Sequence, residues 1–70
     1  MLVHIRRFKK RNGFYRFVVI PGPRIPGQKI TLRDAQEITP MDMIYVSRLY
    51  AISQVKKAGY ELQIRKYRNQ

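Results

Sequence analysis

Cysteine is absent from this chain of 70 residues, which removes disulfides and thiolate metal sites, the usual braces of small domains. Histidine occurs once, at His4, with no acidic cluster beside it, so a zinc or calcium ligand set has little support. No metal and no cofactor is expected. Acids are equally scarce: Asp34, Glu37, Asp42 and Glu61 are the only four, and helix-capping positions claim two of them. Ser47 and Ser53 have no histidine near them in sequence, so a nucleophilic triad has no support. The phosphate-cradling patterns G-x-x-x-x-G-K-[ST] and G-x-G-x-x-G are missing as well, and the expectation is that the protein is not an enzyme. No apolar run approaches the roughly 20 residues that span a bilayer. The amino terminus also lacks an apolar segment followed by a small-residue cleavage site. A cytoplasmic protein with no membrane role is therefore expected.

What the chain has in quantity is positive charge. Fifteen Lys and Arg against four Asp and Glu give a net charge of +11, which repels itself in a compact state and seeks a polyanion. An apolar fraction of 44%, with five Tyr and three Phe, is too high for a disordered basic tail. Seventy residues make one domain. A domain of this size buries only about 60% of the surface its unfolded chain exposes, so a bound partner or a homodimer is a reasonable source of added stability.

Residues 2–20 read as a β-hairpin about the turn signal Asn12-Gly13, where both residue types accept positive φ. Two registers are open. A two-residue turn pairs Arg11 with Phe14, whereas a type I turn with a bulge at Gly13 pairs Lys10 with Phe14. The second puts Val3, Ile5, Tyr15, Phe17 and Val19 on one apolar face and is preferred, because a buried face fixes register. The other face then carries His4, Arg6, Phe8, Lys10, Phe14, Arg16, Val18 and Ile20, in which basic and aromatic side chains alternate. Arg7, Lys9 and Arg11 add charge near the tip.

Residues 21–30 contain two Pro-Gly pairs and predict a turn-rich loop. Residues 31–38 predict a short helix opened by a capping box of Thr31 and Asp34. The main helix is expected over 40–58, with Thr39 as cap, Pro40 in the first position, Lys56 and Lys57 at the negative end and Gly59 as the stop. Met41, Ile44, Tyr45, Leu49, Ile52 and Val55 form its sheet-facing stripe at about 100° per residue. Met43, Val46 and Tyr50 gather on a different side, a candidate partner or dimer surface unless a loop covers it. Residues 60–67 alternate again and read as a strand, with Arg65, Lys66 and Arg68 as a second basic cluster. The expected fold class is thus α+β: a β-hairpin and a carboxy-terminal strand in a three-stranded antiparallel sheet, packed on one long helix.

Stretch 12–38, with Asn12-Gly13-Phe14-Tyr15 followed by a turn region and a helix, resembles the small amino-terminal arm-binding domains of phage integrases. That fold-level resemblance implies a sheet docked in the DNA major groove; the chain departs from the pattern in its longer helix and its carboxy-terminal strand.

A two-stranded ribbon fits the major groove, and Lys or Arg interleaved with aromatics can meet phosphates and stack on unpaired bases. The leading expectation is a DNA- or RNA-binding module that neutralises phosphates through Arg6, Arg7, Lys9, Lys10, Arg11, Arg16, Arg65, Lys66 and Arg68, with Asn12 at the tip in reach of a base. The alternative is a small regulator or inhibitor of virus or plasmid type. It would dock its basic surface on an acidic protein, such as a nucleic-acid-processing enzyme, and its Met43, Val46, Tyr50 strip on an apolar groove. Charge alone does not separate the two.

Overall fold

The computed structural model describes residues 1–63. Two long strands come first, β1 (Leu2–Arg11) and β2 (Phe14–Pro21), joined as an antiparallel hairpin. Then follow α1 (Leu32–Ile38), β3 (Asp42–Val46), α2 (Arg48–Lys57) and β4 (Glu61–Leu62). The four strands make one mixed sheet in the order β3-β2-β1-β4, with β3 antiparallel to β2 and β4 parallel to β1. β3, α2 and β4 therefore form a crossover that carries the chain over both central strands, the connection a parallel partner requires. The α+β class and the hairpin hold; the three-stranded antiparallel sheet and the single long helix do not.

The segment expected as a helix over 40–58 divides at Ser47. Ser47 lies in the extended region, and its hydroxyl accepts the Tyr50 N–H at 3.1 Å, capping α2. Upstream, the Thr39 hydroxyl accepts the Met41 N–H at 3.0 Å and donates to the Met41 carbonyl at 2.7 Å. Thr39 thus closes a tight local turn and caps no helix after it. Met41 also accepts the Val19 N–H at 3.0 Å, and from there the chain runs along β2 as a strand. Two effects outweigh the helical spacing. The run Met43-Ile44-Tyr45-Val46 is rich in β-branched and aromatic residues, and without it the outer backbone groups of β2 would lack partners. Tyr45 has φ of 52°, which no α-helix contains.

α2 stops as its sequence implies. Gly59 has φ of 89°, its N–H donates to Lys56 O at 3.0 Å, and Tyr60 N–H donates to Val55 O at 3.3 Å. This is a Schellman arrangement, in which Tyr60 packs back on the helix end. Thr31 caps α1, its hydroxyl accepting the Asp34 N–H at 3.1 Å.

The sheet is covered on both faces, and this decides which charges remain available. Under α2, Val3, Phe17, Val19, Met43, Ala51 and Val55 form the larger core, bordered by Ile5, Tyr15, Val46 and Leu62. On the opposite face Val18, Ile20 and Ala35 form a smaller one with Phe8, Ile30 and Leu32, so α1 and its leading loop roof the side expected to lie open. The buried run Phe17-Val18-Val19-Ile20 is what a strand covered on both sides looks like. The expected helical stripe does not survive the division at Ser47: Ile44 and Leu49 are exposed, Leu49 to 80%.

Candidate nucleic-acid interface

The hairpin tip is built from its turn outward. Asn12 and Gly13 have φ of 51° and 84°, a two-residue turn whose twist matches the strands it joins. It pairs Arg11 with Phe14 and Lys10 with Tyr15, which replaces the expected bulge at Gly13. Farther from the turn the pairing is Arg7 with Phe17, Ile5 with Val19 and Val3 with Pro21, the register that buries the apolar face. Turn geometry sets one frame and core burial the other. A bulge reconciles them, with Phe8 and Lys9 together facing Arg16.

β3 makes the same adjustment at the same level. Tyr15 pairs with Val46 and Phe17 with Met43, so Ile44 and Tyr45 together face Arg16 from the other side. Arg16 is thus flanked by an extra residue on each neighbouring strand. A bulge bends its strand and increases local twist, so the ribbon beyond Arg16 is re-aimed relative to the packed part of the sheet.

Beyond that level Lys10, Arg11 and Asn12 are all exposed, as are Lys9 within the bulge and Arg7 just before it. Tyrosine rings hold three of the cations. The Arg7 guanidinium lies 4.9 Å from the Tyr15 ring centroid, the Lys10 ammonium 5.9 Å from the same ring, and the Arg11 guanidinium 4.7 Å from the Tyr45 ring. Each such contact contributes about 0.5–1 kcal/mol at an exposed site. They reduce the freedom a long side chain would lose on meeting a phosphate, while leaving its N–H donors available.

Two of the expected contact residues are engaged elsewhere. Arg16 makes a two-point ion pair with Asp42, Nη2 to Oδ2 at 2.7 Å and Nε to Oδ1 at 3.2 Å. The hydrogen bonds from Arg16 hold the Asp42 carboxyl below its ordinary pKa, and the same bonds raise that of Arg16. Arg6 donates from Nε to His4 Nε2 at 3.3 Å and from Nη1 to Gln28 O at 3.2 Å, tying the loop over residues 22–30 to β1. His4 is 2% exposed, and its Nδ1 lies 2.9 Å from Gly22 O. One tautomer satisfies both contacts: Nδ1–H donates to the carbonyl and Nε2 accepts from Arg6. Burial, with Arg6 and Arg24 nearby, lowers the His4 pKa against the opposing pull of the Gly22 bond. Arg65, Lys66 and Arg68 lie outside the described residues.

The three residues expected to form a partner surface part company. Met43 is core at 7% exposure, Val46 packs at the core margin, and Tyr50 is half exposed at the start of α2. Burial of Met43 opposite Phe17 removes the apolar strip as a continuous feature. Tyr45 is a tip residue that helical spacing assigns to the sheet-facing stripe instead; the signal against that assignment is Ser47, whose cap starts α2 and leaves Tyr45 on β3.

Among the described residues no group of three or more His, Cys, Asp or Glu is placed to hold a metal ion. No helix among them is long and apolar enough to cross a membrane. Comparison of the chain with protein-family models, with curated proteins and with solved structures finds no match.

Proposed function

We propose that the protein binds nucleic acid through the distal hairpin, with Arg7, Lys9, Lys10 and Arg11 on phosphates and Asn12 leading the tip. The observation that carries this reading is the concentration of exposed cations on one ribbon end, three of them seated on tyrosine rings, with no acid in the hairpin. A two-stranded ribbon has the width to enter a major groove. Phe14, half exposed beside Arg11, adds a ring on which an unpaired base can stack. Arg6 and Arg16 serve the scaffold: one fastens the loop, the other fastens β3 to β2.

Fluorescence anisotropy with a labelled duplex and a labelled single strand at low salt tests the proposal. Lys10→Glu with Arg11→Glu is expected to abolish binding to whichever form is bound. Lys56→Glu with Lys57→Glu, at the far end of α2 beside β4, leaves most of it. Equal losses from the two pairs would mean diffuse attraction to a basic molecule and would defeat the assignment to the tip. The rival reading, docking on an acidic protein, predicts no nucleic-acid binding by the purified chain.

A further inference from the structure

A cleft of about 390 Å³ opens between α2 and the outer edge of β1, past the point where β4 ends. Its size lies at the small end of the range for small-molecule sites, about 300–1,000 Å³. Ile5, Phe17, Ala51, Ile52 and Leu62 supply an apolar floor. Arg6, Arg7, Arg24 and Arg48 supply charge, and no lining residue is an acid. The only ion pair among the described residues is Arg16 with Asp42, so none of these four guanidinium groups has a carboxylate partner there.

The arginines come from different elements, and contacts hold Arg6, Arg7 and Arg24 in place. Arg24, on the loop, donates its backbone N–H to Gln63 Oε1 at 2.7 Å and reaches Ile5 O from Nη2 at 3.4 Å. Burial lowers the Arg6 pKa and the nearby Arg24 charge lowers it further, the mark of cations gathered without compensation. Arg48 is the first residue of α2, whose first turn carries no acid. A cation there faces the positive end of the helix dipole and is unfavourable for the free protein. Such a placement becomes favourable when an anion sits between the charges.

We propose that this cleft binds a nucleoside monophosphate group, with the phosphate on Arg24 and Arg48 and the base against the apolar floor. Clustered guanidinium groups recognise phosphate through paired N–H donors. The apolar floor and the volume exceed what a bare phosphate fills. The group has two sources, a free nucleotide or the phosphorylated end of a strand. This site is separate from the hairpin tip except for Arg7, which serves both, and Tyr15, which lines the cleft and seats Arg7 and Lys10 on its ring.

The test is an NMR titration of the full isotope-labelled chain with adenosine 5′-monophosphate, with inorganic phosphate, and with a short oligonucleotide carrying or lacking a 5′-phosphate. The nucleotide is expected to give saturable shifts at the Ile52 and Leu62 amides and at the Arg24 and Arg48 side chains. Arg24→Gln and Arg48→Gln are each expected to weaken it about tenfold, the loss of roughly one charge-assisted contact. Lys9→Gln with Lys10→Gln leaves nucleotide affinity within about twofold while weakening the unphosphorylated strand, so failure here and failure of the tip reading are told apart. A strand-end source shows as about tenfold tighter binding of the phosphorylated oligonucleotide; equal binding of the two strands, with the nucleotide still saturating, identifies the free nucleotide. Arg48→Glu is expected to abolish nucleotide binding while raising the melting temperature, which a purely structural arginine would not do. Overturning results are shifts spread over the surface lysines, indifference to Arg24→Gln and Arg48→Gln, or inorganic phosphate binding as tightly as the nucleotide.

Discussion

Neutralising Lys9 and Lys10 together gives the sharpest measurement of how the tip works, because the structure fixes how many hairpin cations are free. Six basic side chains lie between Arg6 and Arg16, but Arg6 is committed to His4 and Gln28 and Arg16 to Asp42. Four remain. On duplex DNA each phosphate neutralised contributes about −0.9 to the slope of log affinity against log salt, so four give about −3.6 and six about −5.4. Between about 50 mM and about 200 mM salt the first slope lowers affinity about 150-fold and the second about 1,800-fold. Lys9→Gln with Lys10→Gln should flatten the slope by about 1.8, leaving a fall of roughly 12-fold over the same interval from the remaining two tip cations. Asp42→Asn releases Arg16 and should steepen the original slope by about 0.9. Cations elsewhere on the chain offset every slope alike, so the differences between variants are the readout. Anisotropy titrations at four or more salt concentrations, analysed as log affinity against log salt, supply them. If Arg16→Gln flattens the slope as much as Lys10→Gln does, or the double lysine variant leaves it unchanged, the division between free and committed cations is wrong.

Gly13→Ala places a side chain at φ of 84° with no heavy atom within 4 Å of the new Cβ. The cost is therefore backbone conformation alone, about 1–2 kcal/mol in urea denaturation. Val55→Ala empties a fully buried position under α2 and should lower stability by about 2 kcal/mol or more. Leu49→Ala, six residues earlier and 80% exposed, should change it by less than about 0.5 kcal/mol; similar losses at the two would contradict the placement of α2. His4 has a pKa below its ordinary 6.5 in the folded protein, so the unfolded chain binds the proton more readily. Its contribution is complete above about pH 6.5 and is lost as pH falls from there toward the folded pKa. Thermal melts of the wild type should weaken over that window, and His4→Asn, which keeps a donor for Gly22 O, should remove the slope.

Local rules carried much of the chain correctly. Asn12-Gly13 specifies its turn, Thr31 its cap and Gly59 its helix stop, because each depends on a few neighbouring residues. Thr39 through Val46 reads as helix but folds as turn and strand, because the same letters suit two structures. Thr-Pro-x-Asp is a helix start in isolation, and Met41, Ile44 and Tyr45 recur at helical spacing. The deciding influence is non-local: β2 needs a hydrogen-bonding partner, and Met43 fits against Phe17. The hairpin sequence offers two frames as alternatives, whereas the strand uses both, separated at Phe8 and Lys9. The site followed the same division. Which residues are basic is plain from composition, but the pairing of Arg16 with Asp42 joins positions 26 apart in sequence, and no spacing rule could have removed Arg16 from the contact set.

The pairing of β4 with β1 has a consequence for the order in which the molecule is made. Leu2 and Val3 find their outer neighbours only in Glu61 and Leu62, so the outer edge of β1 stays open there until almost the whole described chain has left the ribosome. The hairpin, whose partners are close in sequence, can close early, whereas the α2 layer must await its last contacts. Nascent chains halted before residue 61 would present a bare β1 edge beside a formed hairpin, an adhesive intermediate of the kind that holdase chaperones capture.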